Sequence, residues 1–140
     1  MPTISAEHVA ELRFHANPKY LKLMRCVVKE AIILCGGDVS LADKIVIAVN
    51  EACMNIIQHA YNDDSEGEII LEIINNQPNL VFKLTDFAET IDASNVKPRA
   101  LDDIRPGGLG THFINELMDE ITFTVPDSGV GNLLIMRIKI

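Results

Sequence analysis

The stretch VNEACMNIIQHAYND, Val49 to Asp63, carries Glu51, Asn55 and His59 at intervals of four inside an otherwise apolar segment. On an α-helix that spacing turns all three side chains to one face. A carboxylate beside a carboxamide suits a hard cation such as Mg2+, which takes oxygen ligands and keeps part of its water shell. The same carboxylate can accept a proton from an attacking hydroxyl. The plain alternative is a solvent-facing helix side.

Two further places could carry chemistry. Asp86 ends the apolar run LVFKLT and opens an irregular stretch. There it can accept a hydrogen bond from an exocyclic amine, such as that of adenine, or simply start a turn. The run RPGGLGTHFI, Arg105 to Ile114, sets Gly107, Gly108 and Gly110 ahead of a helical pattern. Glycine permits close backbone approach, and the free N–H groups of a helix start favour phosphate. No Gly-Lys-Ser/Thr follows, so this is not a Walker A loop. No strand feeds directly into it, so it is not a Rossmann turn. A purely structural glycine turn stays open.

The elements that must position these groups are legible in outline. His8–His15 alternates and predicts a strand. Asn17-Pro18 is a good helix start, Leu23, Val27, Ala31 and Leu34 follow at helical spacing, and Gly36-Gly37 ends that helix. Ser40, with Asp43 three residues on, opens a second helix that runs to about Ala60. It gathers Val46, Val49, Cys53, Ile57 and Ala60 on one side and Lys44, Glu51, Asn55, Gln58 and His59 on the other. Glu68–Ile74 and Leu80–Thr85 predict a hairpin around NNQPN. Phe87–Pro106 shows neither period and predicts a long loop, a lid or binding segment that is mobile without nucleotide. A helix over Thr111–Met118 and strands over Glu120–Val125 and Asn132–Ile140 complete the chain. The order predicts one α+β domain over residues 1–140, a two-layer sandwich of a mixed, mostly antiparallel sheet with helices on one face.

Composition narrows the function classes. Hydrophobic residues make up 48% and charged residues 23%, the balance of a globular protein with a real core. The net charge of −8 and the lack of a Lys/Arg cluster argue against nucleic acid as a partner. No apolar run reaches the ~20 residues that span a bilayer, so no membrane partner is expected. The N-terminus lacks a secretory pattern, so a cytoplasmic location is expected. Cys26, Cys35 and Cys53 are an odd, widely spaced set, read as core hydrophobes rather than disulfide or zinc ligands.

The three polar features occur in a particular order. The chain reads E-A-x-x-N-x-x-x-H-A-Y, then a strand ending in Asp86, a variable loop, and G-G-L-G-x-x-F-I-x-x-L-M-D-E. This resembles the Bergerat-fold, or GHKL, ATPase superfamily of gyrase, heat-shock chaperones, histidine kinases and mismatch-repair proteins. Within it the chain is most similar to the bacterial anti-sigma-factor serine kinases of partner-switching pathways, over essentially its whole length. The resemblance implies ATP and Mg2+ as cofactors. It implies Glu51 as general base, Asn55 as Mg2+ ligand, His59 close to the nucleotide and Asp86 as reader of the adenine amine. It also implies a phosphate loop of Gly108 and Gly110 with the backbone around Leu109 and Thr111, and Arg105 at the phosphates or in the lid. The family usually continues D-x-G-x-G/P-F/I-D after the adenine aspartate. Here Ala88 stands where the first glycine is expected, while Ile91-Asp92 keeps the later part.

The function implied is ATP-dependent phosphorylation of a serine on an anti-anti-sigma (antagonist) protein, with sequestration of a sigma factor or other regulator. Homodimerisation is implied as well. The alternative is an ATP-binding regulatory module that sequesters its partner with little or no kinase activity. Ala88 favours that alternative if its position needs positive φ or a close approach to adenine. The intact Glu51/Asn55 pair favours catalysis.

Overall fold

The computed structural model describes residues 6–89 and 109–140, the first four of the second segment by backbone alone. Ile91, Arg105 and Gly108, and the loop predicted over Phe87–Pro106 from residue 90 on, lie outside the described residues. The chain begins with β1 (Glu7–His15), a 3-10 turn (Pro18–Tyr20), α1 (Leu21–Leu34) and α2 (Val39–Asn55). A π-helical turn (Ile56–Ala60) extends α2, and β2 (Glu68–Asn76) and β3 (Asn79–Asp86) follow. The second segment holds α3 (Leu109–Leu117), β4 (Glu120–Thr124) and β5 (Asn132–Lys139).

The strands form a single sheet in the order β1-β2-β3-β5-β4, with every neighbouring pair antiparallel among the described residues. Burial alternates along β2 and β3. Ile69, Leu71, Ile73, Leu80, Phe82 and Leu84 are sealed in the core with Met24, Val28, Ile32, Ile45, Val49 and Cys53 from the helices. Glu72, Lys83 and Arg137 lie half-buried at the alternate positions, with Glu72 directly across from Lys83. A period of two on strands covered on one face explains this split. The α+β sandwich expected from the sequence is borne out.

Local chemistry sets the element ends. Asn17 Oδ1 accepts from the Lys19 N–H at 3.0 Å, with Pro18 at the first position, so the predicted start holds, although the first turn is 3-10 rather than α. Gly36 takes a φ of +99°, and the Gly37 N–H donates to the Ile32 carbonyl at 2.9 Å, a left-handed closure that suits glycine. The cap of α2 is Asp38, not Ser40: Asp38 Oδ1 accepts from the Leu41 N–H at 2.7 Å. Both residue types cap helices well, and capping at Asp38 rather than Ser40 starts the helix two residues earlier.

Two readings of the helices need correction. On α1 the buried residues are Leu21, Met24, Val28, Ala31 and Ile32, whereas Leu23 and Leu34 are 53% and 77% exposed. The segment LKLMRCVVKEAIIL is apolar on most of its circumference, so spacing alone does not choose the face. Cys26 on the same helix is exposed and Cys35 is partly exposed; only Cys53 is a core residue. Burial pushes the Cys53 thiol up to about 12. Cys26, Val27, Ala31 and Leu34 line an apolar groove with Val9 and Ala10 of β1.

Candidate functional site

Helix α2 presents Glu51 and Asn55, both half-buried, one turn apart on the side away from Val49 and Cys53. Among the described residues, Asn55 Oδ1 and, on β2, Asn75 Oδ1 are the buried side-chain oxygens with no hydrogen-bond partner. An orphaned carbonyl oxygen in a folded protein costs about 1–3 kcal/mol, and a bound ion or an ordered water would relieve it. A hard divalent cation is a chemical match for a lone amide oxygen beside a carboxylate. One residue before Glu51, Asn50 Oδ1 accepts from Arg25 Nη1 at 3.0 Å, which pins α2 to α1 at this level.

Immediately after Asn55 the helix widens. The Tyr61 N–H donates to the Ile56 carbonyl, five residues back, at 3.0 Å. A π turn inserts an extra residue into the helical round and often accompanies functional sites. It also breaks the simple four-residue spacing, and His59 sits exposed on that turn. The structure therefore does not give His59 the buried setting of Glu51 and Asn55.

Tyr61 links the end of this helix to the end of the hairpin. Its hydroxyl donates to the Glu68 carbonyl at 2.6 Å and accepts from the Phe87 N–H at 2.6 Å. Burial pushes this phenol up, so it stays a donor at neutral pH. A Cβ on Gly67 would strike the Tyr61 ring, and only glycine leaves room for it there. Tyr61 thus spans the end of α2, the start of β2 and the end of β3.

Asp86, the last residue of β3, is 3% exposed and lies across from Asn132 in the β3–β5 ladder, which is 1% exposed. Asp86 Oδ1 accepts from Asn132 Nδ2 at 3.0 Å and from the Ala88 N–H at 3.1 Å. Burial raises the Asp86 pKa first and foremost; these two bonds pull it back down. Both donors reach Oδ1, which leaves Oδ2 as the oxygen for a ligand. Ala88 is not among the described non-glycine residues with positive φ, which are Asn62 and Asp63. The backbone penalty that its substitution for glycine threatened does not arise.

Leu109, Gly110 and Thr111 form the first turn of α3, and α3 packs against α2. Tyr61 thus ties the chain just beyond α2 to the sheet end that carries Asp86, and α3 packs along α2. Gly131 and Asn132 were not singled out from the sequence. Gly-Asn ahead of a strand is an ordinary turn signal, and their placement opposite Asp86 depends on which strands pair.

The sequence matches the family described as the histidine kinase-like ATPase domain over residues 14–138. The chain belongs to this family. A protein of Staphylococcus epidermidis named serine-protein kinase RsbW is 31% identical over 146 aligned residues, covering 96% of this chain and 90% of its own. A Bacillus velezensis protein of the same name is 28% identical over 119 residues, covering 79% of this chain and 74% of its own. Two solved structures share the fold. One is the SiaB-SiaC complex of Pseudomonas aeruginosa, with a TM-score of 0.67 at 14% identity, covering 96% of this chain and 90% of that one. The other holds the RsbU and RsbW domains of a Mycobacterium tuberculosis protein, with a TM-score of 0.63 at 19% identity. It is matched over 93% of this chain and 32% of its own length. The resemblance read from the order of the motifs is borne out. No helix among the described residues is long and apolar enough to cross a membrane.

Proposed function

We propose that this histidine kinase-like ATPase domain is an ATP-dependent serine kinase that phosphorylates a small antagonist protein of the anti-anti-sigma type. In its unphosphorylated-antagonist-free state it sequesters a sigma factor or an equivalent regulator. The observation that carries the reading is the buried, unpartnered Asn55 Oδ1 one turn beyond Glu51, on the helix that packs against α3. The names of the relatives support the choice of a serine as acceptor.

In this reading Asp86 Oδ2 accepts from the exocyclic amine of adenine, a contact that guanine, with an oxygen at that place, cannot make. The backbone N–H groups around Gly108, Leu109, Gly110 and Thr111 face the phosphates at the start of α3. Asn55 Oδ1 would hold Mg2+, which offsets phosphate charge when bound. Ile91 and Arg105 belong to the nucleotide contacts, and His59 lies at the rim. Glu51 accepts the proton of the serine hydroxyl as its oxygen bonds to the γ-phosphorus. The bond from that phosphorus to the bridging oxygen breaks, and ADP leaves. Dimerisation belongs to the same reading. Edge strand β1 and the exposed Ile33 and Leu34, which line a groove with its Val9 and Ala10, offer an apolar surface to a second copy.

The test is transfer of radiolabelled phosphate from ATP to a purified candidate antagonist. Wild type should label it and Glu51→Ala should not; equal labelling by both would remove Glu51 from its role. Ala88 takes an ordinary backbone conformation, which removes the backbone motive for a pure binding module; a methyl crowding a close approach to adenine is the motive that stays, and ATP titration tests it.

A further inference from the structure

We infer that Asn132 is the positioning residue of the base-reading end: its amide clasps Oδ1 of Asp86 and the Glu89 carbonyl together, aiming Oδ2 at the nucleotide. This rests on the proposed ATP site and names a residue that holds it in shape. Asn132 Nδ2 lies 3.0 Å from Asp86 Oδ1 and 3.2 Å from the Glu89 carbonyl oxygen. A carboxamide nitrogen carries two hydrogens, one for each acceptor. The carbonyl oxygen can only accept, so the nitrogen and not the oxygen of the amide must face this side.

The geometry is built for that clasp. Gly131 has a φ of +85°, and a Cβ there would fall on the Asp86 carbonyl oxygen and within 3.1 Å of Phe87 Cα. Only glycine lets the start of β5 come this close to the end of β3, and the next residue is then delivered beneath the carboxylate. Asp86 and Asn132 are the two buried polar side chains among the described residues. The Ala88 N–H adds its bond to the same Oδ1. Oδ1 is thereby committed to the protein, and the residues after Asp86 are tied to the sheet from both sides. A side chain with a single donor cannot do both jobs. It can hold the carboxylate or the Glu89 carbonyl, but not both at once.

The experiment titrates Mg-ATP into wild type, Asn132→Ala, Asn132→Thr and Asp86→Asn by calorimetry across a pH series, with thermal unfolding as a fold check. Asn132→Ala should weaken ATP binding about tenfold or more at neutral pH, the scale of a lost bond to a charged group. Its acid-side loss of affinity should also begin at higher pH than in wild type, because Asp86 loses a donor that keeps it ionised. Asn132→Thr should fall between the two in both respects. If Asn132→Ala does not fold, the Thr variant decides alone. Wild-type affinity and an unmoved pH profile in the folded Asn132 variants would overturn the inference. So would a weakening that is uniform with pH, which marks a merely structural role. If those variants behave as wild type while Asp86→Asn loses ATP, only the role of Asn132 fails. If wild type itself does not bind ATP, the proposed function fails first.

Discussion

The two ends of the candidate site are built on opposite principles. At the sheet end, Asp86 and Asn132 are buried, opposed in register and bonded to each other and to the adjoining backbone. At the helix end, Asn55 has a buried oxygen with no partner, and the helix widens into a π turn directly after it. The first is satisfied before a ligand arrives, apart from one carboxylate oxygen. The second stays unsatisfied until something supplies a partner. In the proposed function the first end would read the base and the second would seat metal and phosphate, so nucleotide identity and nucleotide charge would be separate problems, the first met by preformed hydrogen bonds and the second by a ligand that supplies the missing partner.

The contrast can be broken most forcefully at Glu51. Glu51→Ala should lower phosphotransfer by about 10²–10⁴-fold, the usual contribution of a positioned general base. Its ATP affinity should stay near wild type. A parallel loss of binding in equilibrium titration would make Glu51 part of the nucleotide seat rather than the proton acceptor.

Asn55→Leu should have opposite effects on function and on stability. Mg-ATP affinity should drop by roughly tenfold or more with the lost metal ligand. Stability of the ligand-free protein in urea should hold or rise, by up to ~1 kcal/mol, because an unsatisfied buried oxygen is gone. A clear loss of stability would mean that Asn55 Oδ1 is not an orphan in solution.

A smaller effect comes from pH. The folded-state pKa of Asp86 is raised by burial. A raised carboxylate gives stability that is full below its unfolded pKa and is lost as pH rises through the folded pKa. The ligand-free protein should therefore gain stability on acidification through that window, while ATP binding weakens over the same range. Asp86→Asn should abolish this opposed pair of trends; chemical denaturation and ATP titration over pH would show it. The smallest effect separates the cysteines. A thiol reagent should modify Cys26 fastest, Cys35 more slowly, and Cys53 only on unfolding, as its burial and raised pKa require. Mass spectrometry of timed aliquots would reveal the order.

What could be read in advance followed the strength of the local signals. The hairpin of β2 and β3 was legible because two Ile-, Leu- and Phe-rich runs flank the turn residues NNQPN, and one register buries Ile69, Leu71, Ile73, Leu80, Phe82 and Leu84 while Ile70 and Ile74 stay half-buried. The Glu51/Asn55 pair was legible because both lie on the regular part of α2. The π turn that takes His59 off the regular four-residue spacing was not legible, because it leaves no mark in hydrophobic spacing. The buried face of α1 was missed because Leu23, Val27 and Leu34 compete with Met24, Val28 and Ile32 on a helix apolar nearly all round. Asn132 escaped notice because its partner stands 46 residues away. Only the pairing of β3 with β5, across α3 and β4, brings the two together.

The most direct measurement is calorimetric titration of Mg-ATP into wild-type protein and the Asp86→Asn variant at neutral pH. Micromolar binding to wild type, lost or sharply weakened in the variant, is the expected result. Equal affinity in the two proteins, or no binding to the wild type, would contradict a nucleotide held by the buried carboxylate at the end of β3.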